Sequence, residues 1–359
     1  MRKYKSLTKN DRLQLEALLR ARLPVKRICE IMHRNNSTIY REIRRGTYQH
    51  LNGDTWLYEP RYSADKAQLD AERHNWNKGR ALKIGKDHAF AAYIAKEIRK
   101  KHSPAVALSN IRRNRLSFPT KICVTTLYSY IDKGLIYGVT NKQLWVKGKR
   151  KKRKYHHPQA KSAPRGNSID TRPAEVLTRE MFGNWEMDSV IGTREKGKTI
   201  INIVERKTRF MLSFVTQGKT AAECVRLLNI LETRANGAFS AIFQTITADN
   251  GTEFADYPGI ETSPITKERR TTVYYCHPYR SSERGTNENH NGFLRRFIPK
   301  GTPIEHFSPA SIRKAAAFMN TYPRKILDWH TPQELFESEL SKLGIQNPEK
   351  FIENFCNIY

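Results

Sequence analysis

Three acidic residues stand out in a chain crowded with Lys and Arg: Asp188 in "GNWEMDSVIG", Asp249 in "TADNGTEF" and a glutamate near position 288 in "ERGTNENHNG". A pair of hard divalent cations about 4 Å apart needs such carboxylates, and phosphodiester cleavage uses the metals to activate the attacking oxygen and steady the leaving one. A single strand-end Asp more often caps a turn, so the weight lies on the set. The third stretch offers two candidates, Glu283 and Glu288, which lie 34 and 39 positions beyond Asp249. Glu283 precedes Arg284-Gly285 and reads as loop. Thr286 or Asn287 can cap a helix that carries Glu288 in its first turn, where the helix dipole keeps a carboxylate ionised. Phe293, Leu294 and Phe297 would hold the opposite face of that helix in the core, and Gly292 leaves room beside Glu288 for a nucleic-acid backbone. Asn250, Asn287, Asn291 and Arg295 are candidates for orienting ligands or holding phosphates. Trp185 reads as core, Glu186 shares a strand face with Asp188 and could support its ligands, and His277 has a structural, strand-end position near the site.

The elements that must position these carboxylates follow residue 175, where the periodicity changes from helical to alternating. "GNWEMDSVIG", "KTIINIVERKT" and "RFMLSFVTQ" read as three antiparallel strands. "TAAECVRLLNILETR" is a helix, with Thr220 and Glu223 as a capping box and Ala221, Cys224, Val225, Leu228 and Leu231 as its apolar stripe. "AIFQTITADNG" reads as a buried strand ending at Asp249, and "RRTTVYYCHP" as another. Three strands, helix, strand, strand and helix make an α/β layer with acidic residues at strand ends.

Ahead of that layer the chain is helical. Residues 7 to 46 read as helix, helix, turn, helix: Thr8 with Asp11 marks a first N-cap, and Ile39 and Ile43 face the core of the last helix. Ser37, Tyr40, Arg41, Arg44 and Arg45 are then left for a major groove, the layout of a helix-turn-helix. Residues 60 to 100, rich in Ala, Lys and Arg, read as helix. A weaker echo of the first motif follows at 103 to 136, where Ser103-Pro104 starts a helix and Leu127 and Ile131 point inward. The run Lys149, Arg150, Lys151, Lys152, Arg153, Lys154 lies in a Pro-, Gly- and Ser-containing stretch, a linker able to lie along phosphates. The expected domains are thus a helix-turn-helix at 1–60, a second helical DNA-binding unit at 61–140, a basic linker at 141–175, an α/β catalytic domain at 176–335 and a helical tail at 336–359.

Composition agrees. Lys plus Arg number 64 against 35 Asp plus Glu, a net charge of +29 that asks for a polyanionic partner, most often nucleic acid. No apolar run approaches the roughly 20 residues of a membrane span, and the first residues lack the apolar core of a signal peptide. Five scattered cysteines suggest neither a disulfide framework nor a zinc finger. A cytoplasmic, nucleoid-associated protein is expected.

"GNWEMDSVIG", "TADNGTEF" and "RGTNENHNGFLRRFIPKG" resemble the three signature blocks of DDE transposases of the IS-thirty family. "STIYREIRRG" resembles that family's N-terminal helix-turn-helix, and "NTYPRKILDWHTPQELF" its closing block. The resemblance implies a ribonuclease-H-like, integrase-type catalytic domain behind the helical units. It also implies cutting and joining of DNA at the terminal inverted repeats of an insertion sequence, by protomers that assemble as a homo-oligomer in a synaptic complex. The implied cofactors are two Mg2+ ions, with Mn2+ able to substitute, held by Asp188, Asp249 and Glu288. Family spacing favours Glu283, whereas the block "GTNEN" favours Glu288, as does its place on a helix. A retroviral-type integrase shares the triad but should carry a His/Cys zinc domain at its N-terminus, and a DNA-binding regulator derived from a transposase would need no triad.

Overall fold

The computed structural model describes residues 6–76, 82–145, 166–193, 197–277, 283 and 285–358. The chain divides into two compact units, Met1–Gly85 and Lys86–Tyr359.

In the first unit, Thr8 and Asp11 form the expected capping box at the start of α1 (Lys9–Arg20), with Asp11 N donating to the Thr8 hydroxyl at 3.2 Å and Thr8 N to the Asp11 carboxylate at 2.8 Å. Helices α2 (Val25–Ile31) and α3 (Asn36–Gly46) complete the trio, and Leu15, Ile28 and Ile39 are fully buried where the three meet. Arg12 reaches from α1 to Glu42 on α3 at 2.6 Å, a buried ion pair that fixes one helix against the other. Residues 47–59, to which periodicity assigns no element, form with the next three an antiparallel hairpin of β1 (Thr47–Leu51) and β2 (Tyr58–Tyr62). The hairpin returns Tyr62 so close to Gly46 that any side chain there would strike its ring. Helix α4 (Ala64–Trp76) closes the unit through Ala64 and Ala67.

The second unit opens with α5 (His88–Arg99), α6 (Pro104–Arg113) and α7 (Val124–Asp132). The stretch 60–100, expected as helix, is thus the end of β2 and two helices separated by a turn at 83–86. Ser103 caps α6 as its Ser-Pro sequence predicts, and buried Glu97 gathers His102 and Asn110 at 2.7 and 2.9 Å, tying α5 to α6. Leu127 and Ile131 face inward on α7.

The remaining chain is an α/β sandwich. In order it runs β3 (Asn167–Ser168), α8 (Glu175–Thr178), β4 (Asn184–Ile191), β5 (Thr199–Glu205), β6 (Met211–Thr216), α9 (Ala221–Ala235), α10 (Phe239–Ile242) and β7 (Thr245–Ala248). It continues through α11 (Tyr257–Glu261), β8 (Thr272–Tyr275), α12 (Gly285–Leu294), α13 (Pro309–Asn320), α14 (Pro332–Lys342) and α15 (Pro348–Cys356). Its sheet has the order β3-β8-β7-β4-β5-β6, with β4, β5 and β6 antiparallel and β7 and β8 joining in parallel, the ribonuclease-H-like arrangement. The strand expected across "AIFQTITADNG" is shorter than its apolar run, because Phe239–Ile242 forms a helical turn that packs on the sheet.

Alternation along β4 sends Trp185 and Met187 to one face and Glu186, Asp188 and Val190 to the other. On the first face lies the larger core, where Trp185 stacks on Phe243 at 4.4 Å and Phe336, Leu340, Ile352 and Phe355 of α14 and α15 join α9. On the second, Val190, Ile200 and Met211 meet Phe293 and Leu294 of α12 and Ile312 and Met319 of α13. Glu186 and Asp188 therefore rise toward the layer that holds Glu288. Among the described residues no helix is long and apolar enough to cross a membrane, and none of the five cysteines is in a disulfide.

Candidate active site

Strands β4 and β7 run parallel, with Glu186 beside Thr247. Two residues further along each chain stand Asp188, still within β4, and Asp249, just past the end of β7, so the alternation of the paired strands, carried on, would direct both carboxylates to one sheet face. Asp188 accepts from its neighbour's amide, Ser189 N, at 2.9 Å and from Asn291 Nδ2 on α12 at 2.6 Å. Asp249 accepts from Gly251 N at 3.0 Å. A third carboxylate stands beside Asp249. Glu253, 2% exposed, takes the Ser189 hydroxyl and Lys219 Nζ, the latter at 3.3 Å, on Oε1. Its buried Oε2 has no hydrogen-bond partner. A methyl group placed at Gly251 would meet that oxygen at 2.5 Å and Asp249 Oδ1 at 2.9 Å, so the two carboxylates converge on one point.

Helix α12 supplies the other wall. Glu288 lies exposed in its first turn, one turn before Asn291. Asn291 is itself held: its Oδ1 accepts from Asn202 Nδ2 at 2.8 Å, and Asn202 Oδ1 accepts from the Ser213 hydroxyl at 2.8 Å, so a polar relay crosses β6 and β5 to reach Asp188 on β4. Neither Thr286 nor Asn287 caps the helix, contrary to expectation, because α12 starts at Gly285 and both lie inside it. The cap comes from the sheet. Fully buried Glu186 accepts from Asn287 N at 3.0 Å and from Arg206 Nη1 at 2.9 Å. Arg209 donates to the Thr286 hydroxyl at 2.7 Å. His290 lies within 2.7 Å of Thr286 O and 3.0 Å of Arg209 O. Burial, reinforced by the Arg324 charge, pushes its pKa down to about 3, so the imidazole is neutral and serves one of those carbonyls at a time.

Glu283 is turned elsewhere. Its carboxylate accepts from His277 N at 2.9 Å and faces His277 Nδ1 at 2.9 Å, while His277 Nε2 faces Asp170 at 3.0 Å. The hydrogen bond to Glu283 and both negative charges raise the His277 pKa above its ordinary value.

The remaining candidates divide by role. Asn250 donates to Cys276 O at 2.8 Å, joining the ends of β7 and β8. Asn287 is buried with neither side-chain atom partnered. Arg295 donates to Ile191 O at 2.9 Å and keeps its other terminal nitrogen, Nη1, buried without a partner. On α3, Ser37, Tyr40, Arg41 and Arg44 are exposed, with Tyr40 at 58%, whereas the Arg45 guanidinium is committed to Glu42 at 2.6 Å and Asp70 at 3.2 Å. Lys149, Arg150, Lys151, Lys152, Arg153 and Lys154 lie outside the described residues. Glu253, Arg206, Arg209 and the Asn202–Ser213 relay were not anticipated from the sequence. Glu253 sits within the "TADNGTEF" block, and Asn202 is a lone amide in the apolar run "TIINIVE", so both left a signal.

Among the described residues no three His, Cys, Asp or Glu side chains close into a cage around one ion. Magnesium does not need such a cage, since it is commonly held by one or two carboxylates with waters and substrate phosphates completing an octahedron. The donor set here is all oxygen. The orphaned Glu253 Oε2 beside Asp249 is a buried anionic atom that a cation would satisfy. The residues fit a hard divalent metal.

Residues 3–46 match a family described as a helix-turn-helix domain. Relatives span nearly the whole chain. One named "Probable transposase for insertion-like sequence element IS1161", from Streptococcus salivarius, is 32% identical over 93% of this chain and 95% of its own length. The transposase for insertion sequence element IS4351 of Bacteroides fragilis is 31% identical over 95% of this chain and 98% of its own. Transposase InsI for insertion sequence element IS30C of Escherichia coli is 26% identical over 92% of this chain and 83% of its own. Among solved structures, the catalytic core domain of BIV integrase aligns with a TM-score of 0.35 at 22% identity, over 45% of this chain and 99% of that one. On its matches to the insertion-sequence proteins, the chain belongs to the IS-thirty family of insertion-sequence transposases.

Proposed function

We propose that this transposase binds the terminal inverted repeats of its insertion sequence and carries out metal-dependent strand cleavage and strand transfer, with Asp188, Asp249 and Glu288 as the catalytic carboxylates. One observation carries the assignment: Asn291, one turn after Glu288 on α12, donates to the carboxylate of Asp188, which links the helix bearing Glu288 to the strand bearing Asp188. The three carboxylates would hold two magnesium ions, with manganese able to substitute. When bound, such a pair activates the attacking oxygen and stabilises charge on the leaving one.

The chain's own residues orient these groups. The Asn202–Asn291 relay fixes the rotamer of Asp188, Gly251 N fixes Asp249, and Glu186 with Arg209 fixes the first turn of α12. Exposed Ser37, Tyr40, Arg41 and Arg44 would read base edges in the major groove, and Lys149 to Lys154 would neutralise phosphates without reading sequence. Two transposon ends are synapsed by a homo-oligomer. The work is done in the cytoplasm, at the nucleoid.

Glu288→Gln and Glu283→Gln separate the two carboxylates, since each change keeps shape and removes one negative charge. Glu288→Gln should bind transposon ends as wild type does and lose cleavage and joining by orders of magnitude, while Glu283→Gln stays near wild type. Both assays are run in magnesium and in manganese. Loss of cleavage in Glu283→Gln with retention in Glu288→Gln would overturn the assignment.

A further inference from the structure

The closing block "NTYPRKILDWHTPQELF" has no part in the mechanism above, yet it lines a cavity of about 530 Å3 beside Glu288. The opposite walls come from α6 and α12, and Trp145 stands at the side. Its volume lies within the roughly 300–1,000 Å3 of small-molecule sites, room for one nucleotide.

The lining has the two properties that such a guest needs. Arg324, a wall residue, pairs with no carboxylate among the described residues. Its Nη2 makes a 3.4 Å contact with Met319 O, and its buried Nε has no partner. Burial and the nearby Arg209 charge lower its pKa to about 10, so the guanidinium stays charged and short of hydrogen-bond acceptors. Lys325 adds an exposed cation. Tyr322, Trp329 and Trp145 supply aromatic surface, with Trp145 45% exposed.

The backbone is committed to holding Trp329 there. Asp328 and Trp329 are successive left-handed residues, at φ 49° and 66°. A bulky side chain in that region is costly and persists only where the surroundings over-determine it, as they do at ligand clamps. Here Arg113 on α6 donates to Trp329 O at 2.7 Å, Trp329 N donates to Arg324 O at 2.9 Å, and His330 N donates to Leu327 O at 2.8 Å. Gly292 faces the same cavity, and a Cβ added to it would meet nothing within 4 Å.

We propose that this cavity receives a single unpaired nucleotide of the DNA end being processed, its base against Trp329 and its phosphate at Arg324 and Lys325, so that the neighbouring phosphodiester lies at Glu288. The inference rests on the DNA-cleaving reading given above. Aromatic faces stack any base, and cations answer the phosphate. Unstacking a base is least costly where it is already unpaired, which makes a strand end the natural donor.

The test is binding by the full chain in EDTA, so that no cleavage occurs, to two 30-base-pair duplexes that differ only in whether the terminal thymine is paired or mispaired. Wild type should prefer the mispaired end by about tenfold or more, as expected for one stacked base. Trp329→Ala and Arg324→Gln should lose that preference while binding the paired duplex normally. Trp329→Ala risks the fold of its loop, so Gly292→Leu serves as the second variant: it fills the cavity from open space and should also abolish the preference. Equal affinity of wild type for the two duplexes, or a preference that survives Gly292→Leu, overturns the proposal. Because the measurement needs no catalysis, that failure is distinct from failure of the carboxylate assignment, which the Glu288→Gln cleavage assay reads.

Discussion

Asn291 shows how a neutral side chain can govern a charged one. It donates to Asp188 at 2.6 Å and is aligned by an amide and a hydroxyl behind it, so its removal takes one hold from the carboxylate, leaving that of Ser189 N, without changing the charge of the site. Outer partners of metal ligands are typically worth 10–100-fold in metal affinity or activity. Asn291→Ala should therefore raise the magnesium concentration needed for half-maximal cleavage by about 10–100-fold, with DNA affinity unchanged and with manganese recovering part of the loss. An unchanged magnesium titration would remove Asn291 from this role. The proposed carboxylates Asp188, Asp249 and Glu288 are named from the sequence because acidic residues are scarce against a basic background. The relay could not be, because Ser213, Asn202 and Asn291 converge only after β5, β6 and α12 are packed.

At the scale of elements, α12 is fastened to the sheet at its N-terminus by Glu186, whose other oxygen neutralises Arg206. Breaking a buried pair by removing one partner leaves an uncompensated charge and commonly costs about 3–5 kcal/mol. Glu186→Ala should destabilise the second unit by roughly that amount in denaturant unfolding, more than Glu288→Ala, whose side chain is exposed. Comparable losses in the two variants would argue against the anchor. The order of strands and helices was legible because alternation and the 3.6-residue period are local signals. The hairpin at 47–62 was not: "TYQHL" and "YEPRY" are mostly polar or exposed, and Pro60 speaks against a strand. Nor was the cap of α12, since Glu186 and Asn287 are 101 positions apart and a local rule looks only to Thr286 or Asn287.

For the whole molecule, the proposed function would divide the net charge of +29 into groups that read sequence and groups that only neutralise phosphate. Replacing Lys149 to Lys154 with Ala should weaken binding to terminal repeats and random DNA alike and flatten the dependence of log K on log salt by about 0.9 for each phosphate no longer neutralised. Arg41→Ala should instead reduce discrimination, by about 1–3 kcal/mol if Arg41 makes a bidentate base contact. Equal losses on both DNAs from Arg41→Ala would remove α3 from the groove. The sheet also sets where the chain can change length. One residue gained or lost between Asn184 and Asp188 would turn Asp188 into the apolar core and Met187 toward α12. The crossover from β7 to β8 is under no such constraint: it leaves the sheet, forms α11, and turns at Ser263, whose amide donates to Glu268 O at 2.9 Å, before Thr272 re-enters. Insertions there leave every strand register intact. The count of residues from Asp249 to Glu288 can thus change without shifting a strand, which makes it a poor ruler for the proposed third carboxylate.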